Sequence, residues 1–127
     1  MSYDTTKGEA LTEGHAALAA SGLGPGWRVR VWENLGWHWS LVSPCLHWQI
    51  HPSRCDAHDR RKITGFSAYL NEPRVQATDE PRPGAKTHAS GGRWVEDGAT
   101  PREAMARTIV AAREEIDGLL AIVRGAS

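Results

Sequence analysis

The chain of 127 residues carries 15 basic and 15 acidic side chains, so its formal net charge is zero. This length is typical of one domain whose core is large enough to fold without disulfides or metals, and the balanced charge argues against a generic polyanion binder or an acidic mimic of nucleic acid. Two cysteines and the lack of a long apolar run predict a cytoplasmic protein with reduced thiols and no membrane span.

Residues 1–26 predict a weak N-terminal helix with flexible surroundings. The run EALTEGHAALAAS contains good helix formers, and GLGPG stops any helix that precedes it. Gly14 lies inside this run and the apolar set is thin, so we expect the helix to dock loosely or to become ordered only against a partner. The single domain is then predicted over residues 27–127.

From Trp27 the hydrophobic period changes to two, which is typical of half-buried strands. The runs WRVRVW and WHWSLV, separated by the turn sequence ENLG, predict a β-hairpin. The run CLHWQIH at 45–51 predicts a third strand that ends at Pro52. ITGFSAYL at 63–70 predicts a fourth strand, and RWVE at 93–96 predicts a short edge strand.

Residues 71–92 are rich in proline and glycine and poor in large apolar side chains, so they predict a mobile loop. Beyond them, Thr100 and Glu103 stand at the spacing of a capping box, with proline between them at the first helical position. A long helix is therefore predicted over 101–124. Together these elements predict an α+β fold, in which an antiparallel sheet of three to five strands is packed by the long C-terminal helix.

The C-terminal helix carries apolar side chains at alternating spacings of four and three. At about 1.5 Å per residue it would be roughly 36 Å long, which is more than the short strands can cover. Its second half therefore crosses beyond the sheet, kinks near Gly118, or pairs with a second copy of the chain. The side chains predicted to form a homodimer are Ile116, Leu119 and Val123.

The strand alternation also predicts a sheet face that carries aromatic, basic and amide side chains. These residue types supply the strongest contacts of protein–protein interfaces, and they can stack the bases of single-stranded nucleic acid. The zero net charge favours a protein partner over nucleic acid. The candidate partner-binding residues are Arg28, Arg30, Trp32, His38, His47 and Gln49.

Cysteine and histidine side chains cluster around the third predicted strand. Alternation alone explains why Cys45 and His47 point away from the core. A zinc site is the alternative, with His51, Cys55 and His58 as ligands, because a loop can bring imidazole and thiolate donors around an ion. No nucleophile elbow, phosphate-binding loop or HExxH motif is present, so we predict a protein without enzymatic activity and without a cofactor other than zinc.

Residues 27–124 combine WRVRVWENLGWHW, a polar strand and loop, and a terminal helix that starts at GATPREA. This combination resembles small phage and prophage accessory proteins. Such proteins often act stoichiometrically on host machinery, and inhibitors of bacterial defence systems, including anti-CRISPR proteins, are examples. The resemblance implies an inhibitor that binds a host defence protein in the cytoplasm of the host cell.

The helix start is also similar to that of HicB-type antitoxins. The matching residues are Gly98, Thr100, Pro101, Glu103 and Ala104. This second resemblance implies a three-stranded sheet with a helix, and a module that binds nucleic acid.

Overall fold

The computed structural model describes residues 5–71 and 92–125, which form two helices and one antiparallel sheet of five strands. The strands pair in chain order, so each hydrogen-bonds its neighbours in sequence. The predicted α+β architecture is confirmed. The elements are α1 (Lys7–Ser21), β1 (Arg28–Glu33), β2 (Trp37–Val42), β3 (Trp48–Cys55), β4 (Ile63–Asn71), β5 (Gly92–Gly98) and α2 (Pro101–Gly125).

Both helices lie on the same face of the sheet. α1 packs on β1 and β2, and α2 packs on β4 and β5. Ala10 of α1 and Ala104 of α2 are both fully buried in one core cluster. The sheet contributes Trp39, Leu41, Ile50 and Ala68 to this cluster. The apolar positions predicted from the alternation of β2 therefore face the helices.

α1 begins and ends at well-defined caps. The Thr6 side chain accepts a hydrogen bond from the Glu9 amide at 3.1 Å, and Gly22 ends the helix in the left-handed conformation. Gly14, which lowers helix propensity, is buried where α1 meets the sheet. A Cβ at this position would lie 2.5 Å from Val29 Cγ1. The glycine therefore allows an approach that a side chain would prevent.

The predicted start of the third strand is wrong, because β3 begins at Trp48 rather than at Cys45. Leu46 adopts a φ of 64°, which places it in a left-handed turn instead of a strand. The hydroxyl of Ser43 accepts a hydrogen bond from the Trp48 amide at 3.0 Å and closes this turn. The sequence alternation through 45–47 therefore does not describe strand geometry.

The predicted end of the third strand is also wrong, because β3 continues through Pro52 to Cys55. The ladder between β2 and β3 consists of the pairs Leu41↔Ile50 and Val42↔Gln49, so Pro52 lies beyond it. The amide that proline lacks is therefore not needed for pairing with β2. Register shifts follow between Pro52 and Cys55, as is common where a strand ends its regular pairing.

α2 starts as predicted, but with a different role for one of its capping residues. Thr100 Oγ1 accepts a hydrogen bond from the Glu103 amide at 3.1 Å, whereas the Glu103 carboxylate pairs with Arg107 at 2.9 Å. The buried residues of α2 end at Ala112. Glu115 still contacts the sheet, since its carboxylate accepts a hydrogen bond from Trp94 Nε1 of β5. The helix after Glu115 extends beyond the sheet, which is one of the outcomes predicted from its length.

The mobile loop predicted over 71–92 lies outside the described residues, apart from Asn71, which ends β4, and Gly92, which starts β5. β5 extends two residues past the predicted edge strand, to Gly98. In the parts of the chain that the structure describes, neither helix has an apolar stretch that would cross a membrane.

Candidate functional site

The face of the sheet opposite the two helices carries charged, polar, aromatic and imidazole side chains. Strand alternation turns them to this side, and cross-strand register aligns them in rows. One row is defined by the pairs Arg30↔Ser40, His51↔Ser67 and Ser67↔Asp97. We call this surface the polar face, and its members are Arg28, Arg30, Trp32, His38, Ser40, Gln49, His51, Ser67, Tyr69 and Asp97.

Two candidate residues on the polar face are not exposed as the sequence predicted. Arg30 is 5% exposed and Gln49 is 2% exposed. Gln49 lies directly opposite Val42 on one side and Tyr69 on the other, and its Nε2 donates a hydrogen bond to Ser40 Oγ at 3.0 Å. The amide of Gln49 therefore joins β3 to β2 within the sheet and is not accessible to a partner.

Four aromatic and imidazole rings contact one another across the polar face. Trp32 and His38 are a cross-strand pair, and their rings stack with centroids 4.7 Å apart. His51 meets Trp32 edge-on at 5.9 Å and Tyr69 edge-on at 5.1 Å. The four rings thus span β1 to β4, and we call them the ring cluster. Both edge-on and offset stacked geometries are favourable for aromatic pairs.

The edge of the ring cluster is held by the hairpin between β1 and β2. His38 Nε2 lies 2.9 Å from the backbone carbonyl of Asn34, an arrangement that requires the proton on Nε2. The stack on Trp32 and this hydrogen bond together orient the His38 imidazole. Trp32 and His38 are half-buried, so each offers part of its ring to a partner.

Arg28 and His47 differ in their surroundings. Arg28 is exposed at the outer strand, in the row that leads through Val42 to Gln49. His47 lies before β3, and its backbone carbonyl accepts a hydrogen bond from the Asn71 amide at 2.9 Å. The His47 side chain is half-buried. The polar face therefore brings Arg28, Trp32 and His38 to the surface, whereas His47 lies outside the strands that form it.

Tyr69 and Asp97 belong to the polar face, although neither was a candidate residue. Ser67 Oγ donates a hydrogen bond to the Asp97 carboxylate, which joins β4 to β5 on this face. The alternation of ITGFSAYL already separates Tyr69 from Phe66 and Ala68. It does not show that Tyr69 lies beside His51, because that contact depends on the register between β3 and β4.

The predicted zinc ligands occupy different surroundings. His51 belongs to the ring cluster, Cys55 is exposed at the end of β3, and His58 is exposed in the following turn. The His58 amide donates a hydrogen bond to Asp56 at 2.8 Å, which shapes this turn. Within 5–71 and 92–125, no three His, Cys, Asp or Glu side chains converge as a metal site would require. Zinc binding stays a prediction.

Cys45 is exposed in the turn that precedes β3. Burial opposes ionisation of this thiol, but hydrogen bonds from the Ser43 hydroxyl and from the backbone amides of His47, Cys45 and Trp48 outweigh it. The pKa of Cys45 is therefore lowered from 9.0. The Ser43 hydroxyl lies 3.2 Å from the Cys45 sulfur. A lowered pKa raises the thiolate fraction near neutral pH.

No protein-family model, curated protein or solved structure matches this chain. The fold is therefore defined by its own elements, as an antiparallel meander of five strands with two helices on one face. The polar face and the overhanging half of α2 are the two surfaces from which function can be inferred.

Proposed function

We propose that this protein is a non-enzymatic binding protein that captures a host protein stoichiometrically through its polar face. The observation that carries the proposal is the ring cluster, in which half-buried Trp32 and His38 are held in contact with His51 and Tyr69. Arg28 stands exposed on the same face. Tryptophan, tyrosine and arginine are the side chains most enriched at the energetic centres of protein interfaces.

The ring contacts favour binding because they fix the side chains before a partner arrives. Ordering a side chain at an interface typically costs about 0.5–1.5 kcal/mol. The rotamer of Trp32 is restrained by His38 on one side and His51 on another. Most of the conformational entropy of these side chains is therefore already lost when the protein folds. The half-exposed rings can then anchor a partner with little further loss of entropy.

Charge on the polar face supports a protein partner over nucleic acid. A surface that binds single strands combines stacking rings with a basic groove along the backbone. Here Arg30 is buried, and the exposed cation Arg28 is balanced by exposed Asp97 on the same face. The net charge of the whole chain is zero. Weak electrostatic attraction to phosphates follows.

The resemblance to small phage accessory proteins supports a more specific version. In that version the partner is a protein of a host defence system, the protein acts as its inhibitor, and binding takes place in the host cytoplasm. The same polar face serves both versions.

The test is capture of a partner from host lysate, followed by measurement of the dissociation constant. We expect Arg28→Glu and Trp32→Ala each to weaken binding by 10-fold or more, about 1.4 kcal/mol. Arg102→Glu is the matched control for Arg28→Glu, because Arg102 is exposed in the first turn of α2, away from the polar face. Thermal melts of all variants establish that folding is intact.

Several results would contradict the proposal. Undiminished capture by Arg28→Glu and Trp32→Ala would remove the polar face as the interface. Binding of single-stranded nucleic acid that weakens steeply with added salt would replace the protein partner by nucleic acid. Equal losses in the Arg102→Glu control would show a charge effect that is not specific to the polar face.

A further inference from the structure

The face of α2 that packs on the sheet continues along the helix after the sheet has ended. Ala104, Thr108 and Ala112 are buried on this face. The same helical face continues through Ile116, Leu119 and Val123, because spacings of three and four residues keep side chains on one side of a helix. These later side chains are exposed. A core-like surface is therefore left uncovered.

This overhanging surface is larger than the three side chains of the sequence pattern. Leu120 and Ile122 flank the stripe and are 44% and 68% exposed. At about 1.5 Å per residue, the helix from residue 113 to its end extends roughly 20 Å past its last buried residue. We call this surface the α2 overhang, and its members are Ile116, Leu119, Leu120, Ile122 and Val123.

We propose that the α2 overhang is covered by the α2 overhang of a second copy of the chain, in an antiparallel pair related by a two-fold axis. A two-fold interface joins the same patch on both subunits, so the patch must complement itself. Glu115 lies on this face where the overhang begins, and its carboxylate accepts a hydrogen bond from Trp94 Nε1. From Ile116 to Val123 the stripe carries no charged side chain. Two such stripes can therefore meet without burying a charge.

The position of the sheet selects the antiparallel arrangement. The apolar stripe of the overhang faces the same side of α2 as the residues that are buried against the sheet. A partner helix can therefore lie beside the overhang only as far as the edge of the sheet. A parallel partner helix would run into the strands on which α2 packs. An antiparallel partner brings its helix end to this boundary and carries its own sheet away at the opposite end.

Charges along one flank of the overhang are compatible with this arrangement. Arg113, Asp117 and Arg124 lie on the same flank, with signs that alternate along the helix. In an antiparallel pair, this flank of one helix faces the same flank of the other helix, with the order of residues reversed. In the register that places Ile116 opposite Val123, Arg124 of one helix lies about 3 Å along the axis from the levels of both Arg113 and Asp117 of the other. Asp117 can then pair with Arg124 across the interface, which offsets the like charge of Arg113.

The area available limits the strength of the dimer. Two overhangs of this size bury on the order of 1,000 Å² in total, which is at the lower bound for a specific interface. The dissociation constant is therefore expected on the order of micromolar rather than nanomolar. The protein should pass from monomer to dimer over an accessible range of concentration.

Sedimentation velocity of the full chain tests the pair. We expect a reversible monomer–dimer equilibrium, and we expect Leu119→Glu to raise its dissociation constant by at least 100-fold. Ala121→Glu is the matched control: it adds the same charge at an exposed position on the opposite side of the helix, so its dissociation constant should equal that of the wild type. Both sites are exposed, and circular dichroism verifies that both variants fold.

Cysteine cross-linking tests the orientation in a chain whose Cys45 and Cys55 are replaced by serine. A mixture of the Ile116→Cys and Val123→Cys chains should form a disulfide between the two different chains under oxidation. Efficient self-linking of Val123→Cys would indicate a parallel pair and overturn the arrangement. A strict monomer at concentrations on the order of 100 μM would overturn the dimer itself, and the overhang would then belong to another partner.

Discussion

Gly14 of α1 lies so close to Val29 of β1 that a methyl group on its Cα would stand 2.5 Å from Val29 Cγ1. The same methyl group would lie 3.1 Å from the Cβ of Trp39. Close packing of α1 on the hairpin therefore depends on one glycine.

Replacing this glycine should loosen α1. We expect Gly14→Ala to lower the free energy of unfolding by about 1–3 kcal/mol, because overpacking displaces the helix from the sheet. Gly8→Ala in the same helix is the control, since its new methyl group would meet Thr6 Oγ1 at 4.0 Å, an ordinary contact. It should raise stability by roughly 0.5–1 kcal/mol. Urea unfolding measures both, and equal stability of Gly14→Ala and wild type would disprove the close fit.

Thr108 links α2 to the sheet through its buried hydroxyl. Its Oγ1 lies 3.1 Å from the Ala68 carbonyl oxygen on β4 and 2.8 Å from the Ala104 carbonyl oxygen in its own helix. Thr108→Val keeps the shape and removes the donor, so we expect a loss of about 1 kcal/mol in unfolding free energy.

A threonine in α1 provides the control for this change. Thr12 makes the equivalent bond within its helix, to the Gly8 carbonyl at 2.9 Å, but it is not buried. Thr12→Val should therefore alter the unfolding free energy by no more than a few tenths of a kcal/mol. Equal effects at both sites would show that the bond to the sheet contributes nothing.

The thiol of Cys45 should ionise more readily than an unperturbed thiol. Because its pKa is lowered from 9.0, the midpoint of the pH dependence of alkylation should lie below that value. Ser43→Ala removes the nearest donor and should move the midpoint upward, with less thiolate at a given pH. Stopped-flow alkylation in a Cys55→Ser background measures the shift. An unchanged midpoint would refute the role of Ser43.

The zinc hypothesis leads to a separate measurement. Four residues of strand span about 13 Å, so His51 and Cys55 cannot share an ion unless β3 bends sharply. If the zinc site forms, β3 must bend at the register shifts between Pro52 and Cys55. Protein purified without a His-tag should then contain one zinc per chain by elemental analysis, and chelator or His58→Ala should lower its melting temperature. Less than one zinc per chain would remove the metal site.

Local patterns in the sequence predicted much of the fold. The alternation of WRVRVW and WHWSLV identified two strands and the side chains that face the core, since both depend on neighbouring residues alone. The cap at Thr100 is equally local. The start of β3 was missed because Leu46 adopts a left-handed conformation, which leucine rarely takes. No pattern in the neighbouring residues predicts this conformation.

The candidate site could be predicted only in part, because burial depends on register. The hairpin pattern is sufficient to bring Trp32 and His38 together as a cross-strand pair. The burial of Arg30 and Gln49 depends on which side chains lie opposite them on other strands. The contact between His51 and Tyr69 likewise depends on the register between β3 and β4. No local sequence pattern in the turn between these two strands specifies that register.

The pairing of strands in chain order also bears on how the protein folds. Every strand neighbours the next one in sequence, and each helix packs on the strands nearest to it along the chain. β1 and β2 are separated by three residues, so their pairing requires little loop closure, whereas 20 residues separate β4 from β5. The β1–β2 hairpin can therefore form early, and the pairing of β4 with β5 carries the larger entropic cost of loop closure.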